Sequence, residues 1–167
     1  MVLKNRISLV KLFPRLKVKV GVELGVARGD YSYKLNKAYT FEKFYGVDSW
    51  SSRIHNDSQK LAATQLLGCF PQVELIQGIF SEVVTRFEDN YFDFIYVDGY
   101  AHTGQFKGET LKLWFPKLKK HGLFAGHDYS KELWPRNYFH INQYLKEELG
   151  YKIHVTSGRN PSWYIMK

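Results

Sequence analysis

The chain has 167 residues, of which 44% are hydrophobic, 24% charged and 17% aromatic, the size and composition of one domain, 1–167, with a core large enough to need no disulfide staple. Cys69 is the single cysteine, which excludes an internal disulfide framework and a thiolate zinc site and fits a reducing, cytoplasmic setting. The formal charge of +8 is scattered, with Lys117, Lys119 and Lys120 as the dense cluster. No run approaches the ~20 apolar residues of a membrane span or the ~7–15 of a signal-peptide core.

Residues 1–17 read as an N-terminal helical extension. Ile7, Leu9, Val10, Leu12 and Phe13 fit a short helix that Pro14 ends. Val18, Val20, Val22 and Leu24 then suit a buried strand over 18–24. Gly25 and Gly29 allow a tight turn with close backbone approach to a ligand, and Asp30 is a cap for a helix over 31–39. A second strand, 41–47, ends at Asp48. Residues 56–69 are helical, with Leu61, Ala62, Gln65 and Leu66 at helical spacing. A third strand covers 73–77, and a short helix over 81–87 follows with Ser81 as its cap. The fourth strand, 91–97, ends at Asp98, and a helix spans 105–118. The Lys117–Lys120 cations therefore fall near a helix end, where cations are expected. The fifth strand, 123–126, runs into His127-Asp128. A last helix over 137–149 is closed by Gly150, and strands over 153–156 and 163–166 finish the chain.

Alternating strands and helices predict an α/β, Rossmann-like, doubly wound sheet of seven strands, mostly parallel. The Ser157–Pro161 link is too short for a parallel crossover, so the last two strands form an antiparallel hairpin.

Four strands end in an acid at the ligand-binding edge: Glu23, Asp48, Asp98 and Asp128. A dinucleotide fold places G-x-G-x-x-G here, with pyrophosphate on the helix N-terminus. This chain instead has Glu23-x-Gly25-x-x-x-Gly29 with Asp30 behind it. At ~4 Å and an effective dielectric of ~20, each carboxylate would repel a phosphate by about 4 kcal/mol before screening. The same carboxylates favour a cationic, phosphate-free nucleoside such as S-adenosylmethionine, and they disfavour a nicotinamide oxidoreductase. The turn resembles motif I of the class I methyltransferases.

The segment from Phe92 extends that resemblance: Phe92-Asp-Phe-Ile-Tyr-Val-Asp98-Gly-Tyr-Ala-His102, then Trp114, Pro116-Lys-Leu118 and Gly122-Leu-Phe-Ala-Gly-His127-Asp128-Tyr129. It is similar to the macrocin-type sugar O-methyltransferases, a small-molecule family with "D-G-x-H" after strand four and "G-H-D-Y" after strand five. The resemblance implies that Glu23, Gly25, Ala27, Gly29, Asp48, Ser49, Trp50, Gly78, Ile79, Phe80 and Asp98 line a site for S-adenosylmethionine. Asp48 would accept the ribose hydroxyls, Trp50 and Gly78–Phe80 would lie along the adenine, and Asp98 would face the methionine end.

Asp98 and Asp128 end adjacent strands, so their carboxylates converge. Such a pair shares a proton, binds a divalent ion such as Mg²⁺, or pairs with a cation. In metal-dependent relatives an Asp or Asn follows the second aspartate; here Tyr129 does. His102, in the loop after strand four, and His127 are the candidate general bases, acting with Asp98 on a hydroxyl. The acceptor implied is a small molecule or a sugar. No N-P-P-Y-type tetrad follows strand four, which argues against base methylation of nucleic acid. A non-catalytic module that binds cofactor or a partner stays open as the second reading. The chain lacks the long N-terminal cover of many relatives, which leaves room for a second subunit, a homo-oligomer, to complete the pocket.

Overall fold

The computed structural model describes residues 2–99 and 105–167. One seven-stranded sheet organises them: β1 Val20–Leu24, β2 Lys43–Asp48, β3 Val73–Gln77, β4 Phe92–Val97, β5 Leu118–Gly126, β6 His154–Val155 and β7 Trp163–Met166. Their spatial order is β3-β2-β1-β4-β5-β7-β6. β1 to β5 pair in parallel, and β7 runs antiparallel to both β5 and β6. The architecture is the one expected. With β1 between β2 and β4, the chain reverses its direction of growth beside β1, and ligands of open α/β sheets bind at such a switch point.

Among the described residues, α1 Phe13–Leu16 precedes the sheet, and α2 Asp30–Ala38, α3 Asp57–Leu67, α4 Phe80–Val83, α5 Gln105–Trp114 and α6 Pro135–Ile141 lie between successive strands. Both sheet faces are buried, which is why β4 is apolar at successive positions. Phe94 and Tyr96 point into one core layer with Leu9, Phe13, Tyr31 and Leu35. Ile95 points into the other, with Val22, Leu24, Trp114, Phe124 and Leu145. A smaller cluster of Val26, Trp50, Ala63 and Leu67 lies under α3.

Several local expectations are corrected. Pro14 does not end a helix. A 3₁₀ segment, Arg6–Leu12, leads into α1, where Pro14 occupies the first turn, the place where a missing N–H costs nothing. Asp30 opens α2 while Gly29, at φ +87°, is the cap. Ser81 lies inside α4, whose cap is Ile79. The buried stripe of α3 is Ala63 and Leu67, one residue on from the predicted one, and Leu61 is exposed. β5 starts at Leu118, so Lys119 and Lys120 belong to a strand, with Lys117 pairing with Asp89 and Lys119 with Asp93. The last helix begins at Pro135 and its second half, Asn142–Glu148, is a π-helix.

Candidate active site

The turn after β1 is held by its neighbours on both sides. Gly25 N–H donates to Val47 O of β2 at 2.8 Å, and Leu24 O accepts from Asp98 N–H at 2.8 Å and Gly99 N–H at 2.7 Å. Gly25 sits at φ +100°, and a Cβ there would overlap the Gly99 amide nitrogen and come within 2.6 Å of its Cα. The close approach that calls for glycine is thus first of all to the chain's own β4 exit. Gly29 serves helix packing: a Cβ on it would meet Leu67 at 3.1 Å and Ala63 at 3.3 Å.

Asp48 ends β2 and grips that turn. Its Oδ2 accepts from Ala27 N–H at 2.9 Å and its Oδ1 from Trp50 N–H at 3.0 Å. Each carboxylate oxygen keeps a second lone pair, so the group can still accept from a vicinal diol. Trp50 is not an adenine platform. It is only 2% exposed, packed with Val26, Ala63 and Leu67, and its indole N–H donates to Ala27 O at 2.9 Å. Its apolar bulk under the turn outweighs any role on the surface. Ser49 lies next to it, its carbonyl accepting from Gln77 Nε2 at 3.1 Å.

After β3, Gly78 N–H donates to Asp48 O at 3.0 Å, bringing this segment to the β2 tip. Ile79 is 41% exposed there. Phe80 is not: it is buried, and a Cβ on Gly99 would strike its ring at 2.7 Å. Phe80 therefore supports the β4 turn from below, and Ile79 is the apolar side chain of this segment that a ligand can reach.

Glu23 differs most from the expectation. It is 1% exposed and accepts a very short hydrogen bond from the Ser32 hydroxyl of α2. Burial, and then the nearby Asp98 charge, push its pKa well above the ordinary glutamate range. Its charged form is disfavoured there, and the side chain is packed beneath the turn against α2 instead of standing out on the rim.

Asp98, Asp128 and His127 do come together. His127 Nδ1 lies 2.5 Å from Asp128 Oδ1 and 3.8 Å from Asp98 Oδ1. Asn137 of α6 pins the strand exit, its Nδ2 donating to His127 O at 3.3 Å and Asp128 O at 3.1 Å. On the other side, Arg6 of the N-terminal 3₁₀ segment reaches Asp98, with Nη1 2.6 Å from Oδ2. Burial raises the Asp98 pKa, with Arg6 and then His127 pulling against it. His102 lies outside the described residues.

Of the three roles open to the two carboxylates, pairing with cationic or N–H partners is the one formed. The donor set does not fit a divalent ion. Arg6 holds Asp98 Oδ2, His127 holds Asp128 Oδ1, and Tyr129, in the third-ligand position, donates its hydroxyl to Asn142 at 3.0 Å. Among the described residues, no group of three or more His, Cys, Asp or Glu side chains is arranged to hold a metal ion.

Sheet order, the glycine turn after β1 and the acid ending β2 define the class I S-adenosylmethionine-dependent methyltransferase fold. A methyltransferase-domain family matches residues 22–129, and the chain belongs to that family. Solved structures agree on the fold. A protein from Staphylococcus aureus put forward as a caffeoyl-CoA O-methyltransferase is 21% identical, with TM-score 0.74 over 96% of this chain and 82% of that one. An O-methyltransferase from Bacillus cereus in complex with SAH is 11% identical, with TM-score 0.73 over 96% and 80%. A SAM-dependent methyltransferase from Aquifex aeolicus is 18% identical, with TM-score 0.69 over 94% and 88%. No curated protein sequence matches the chain.

Proposed function

We propose that the chain methylates a hydroxyl oxygen of a small molecule or sugar, with S-adenosylmethionine as donor and His127 as general base. The donor, when bound, supplies a methyl group on a positively charged sulfur. Asp48 accepts from the ribose hydroxyls, the Gly25–Gly29 turn lies alongside, Ile79 contacts the adenine, and Asp98 meets the methionine end.

The observation that carries the catalytic part is the His127–Asp128 contact at 2.5 Å. A carboxylate on Nδ1 fixes the tautomer with the proton on that nitrogen, leaving the Nε2 lone pair to take a proton. As the acceptor oxygen gains the methyl group, its proton passes to Nε2, and Asp128 and Asp98 stabilise the imidazolium. The 17% exposure of the His127 side chain keeps it reachable from outside. No helix among the described residues is long and apolar enough to cross a membrane; a cytoplasmic setting is part of the proposal, supported by Cys69 being the single, exposed cysteine.

The test is calorimetry with S-adenosylmethionine and S-adenosylhomocysteine, then a methyl-transfer assay on a panel of sugars and phenols. His127→Asn should lower kcat by about 100-fold or more, the usual worth of a general base, with donor affinity kept. Donor binding with no acceptor methylated would instead favour the non-catalytic module.

A further inference from the structure

Arg6 is outside every motif, yet it stands at the ends of β1 and β4. Its guanidinium lies 4.6 Å from the centre of the Tyr31 ring, at the start of α2, and Nη1 is 2.6 Å from Asp98 Oδ2. The segment that carries it is anchored. Leu3, Leu9 and Phe13 are buried, Asn5 Oδ1 accepts from Ser8 N–H at 3.1 Å, Arg6 O accepts from the Tyr31 hydroxyl at 3.2 Å, and Leu3 O accepts from Ser157 N–H at 3.0 Å. The pair is also open to solvent, at 33% and 22% exposure for the two side chains. So a fixed cation and a fixed anion lie side by side at the ligand edge of the sheet. A guanidinium has five N–H donors and a carboxylate has several acceptor sites, so one mutual contact leaves each able to bind more.

Such a pair selects its ligand by charge pattern. A lone ammonium drawn to Asp98 would meet Arg6 as a like charge, and a lone carboxylate drawn to Arg6 would meet Asp98. A ligand carrying both, on adjacent positions, satisfies both. We propose that Arg6 and Asp98 form a receptor for a zwitterionic α-amino-acid group, with Arg6 holding its carboxylate and Asp98 its ammonium. Under the function proposed above, on which this rests, that group is the methionine end of the methyl donor. Arg28, the arginine in the glycine turn, lies exposed. Because the 3₁₀ segment is packed before ligand arrives, the contact needs little ordering of the chain.

Three probes test this on the full chain by calorimetry: S-adenosylhomocysteine, its α-carboxyl methyl ester, and 5′-methylthioadenosine, which lacks the amino-acid end. Wild type should bind S-adenosylhomocysteine about tenfold or more tightly than the ester, the worth of a hydrogen bond between charged groups. Arg6→Gln should weaken S-adenosylhomocysteine by a similar factor, erase its advantage over the ester, and leave methylthioadenosine within about twofold. Arg6→Lys should recover part of the loss. Retained methylthioadenosine binding shows that a variant is folded; should Arg6→Gln not fold, the ester comparison on wild type decides. Unchanged S-adenosylhomocysteine affinity in Arg6→Gln overturns the inference alone. A gain in affinity does so too, because it would make Arg6 a competitor for Asp98. Failure of all three probes to bind wild type overturns the methyl-donor reading, and the inference with it.

Discussion

Replacing Gly25 by alanine tests whether the β1 and β4 exits are one packed unit. The residue sits at φ +100°, where a side chain costs about 1–3 kcal/mol in backbone strain. Its new Cβ would also come within 2.6 Å of Gly99 Cα and 3.0 Å of the Asp98 carbonyl carbon. These are backbone atoms that cannot rotate away, so overpacking adds about 1–3 kcal/mol. The sum, about 2–6 kcal/mol, is a large part of the 5–15 kcal/mol typical of a domain. Gly150 is the control, since it has φ +74° and nothing within 4 Å of its would-be Cβ, so Gly150→Ala carries strain alone. In urea, with a slope of about 2 kcal/mol per molar, the midpoint should fall by about 1–3 M for Gly25→Ala and by the smaller strain-only share, about 0.5–1.5 M, for Gly150→Ala. Equal shifts for the two variants would refute the contact between the turns.

Asp48→Asn keeps the shape but leaves one acceptor oxygen for two backbone N–H groups, those of Ala27 and Trp50. It should cost about 1–3 kcal/mol in urea unfolding and weaken adenosine ligands in calorimetry. Glu23→Gln should change the pH dependence of stability. The folded chain holds the Glu23 proton more tightly than the unfolded chain, so the group's contribution is fully present below the unfolded value of about 4.3 and falls as pH rises toward the folded value, by up to about 1.4 kcal/mol per unit. The variant should match wild type near about pH 4 and exceed it near about pH 8; parallel curves would count against a Glu23 whose pKa burial raises. Asp128→Asn should reduce kcat while sparing donor affinity, because it replaces the carboxylate on His127 Nδ1 with a neutral amide that no longer fixes the tautomer or offsets the imidazolium charge. An unchanged kcat would remove that role.

The strands and the mostly parallel sheet with its final antiparallel hairpin were legible because periodicity, strand-end acids and the short last link are local signals. Val73–Gln77 and Trp163–Met166 match their expected bounds, and Asp48, Asp98 and Asp128 all stand at strand exits. What was not legible depends on partners far along the chain. Arg6 and Asp98 are 92 positions apart, and nothing near residue 6 marks it as a site residue. Glu23 read as a rim charge because its spacing to Gly25 is visible, whereas its burial, which raises its pKa, and its contact with the Ser32 hydroxyl are tertiary facts. Trp50 and Phe80 fall next to ligand motifs, but their volume is used by the core below the turns. β5 was drawn too short because a run of Lys and His resembles a helix end; ion pairs to Asp89 and Asp93 let those cations flank and enter the strand.

The β6–β7 connection, far from the glycine turn in sequence, holds the N-terminal segment in place. Ser157 N–H donates to Leu3 O, and a Cβ on Gly158 would come within 2.9 Å of Lys4 O. Two residues further on is Arg6, so the hairpin works as a clasp whose grip is felt at the mouth of the sheet. Lengthening or loosening that clasp would shift Arg6 against Asp98 without altering either residue.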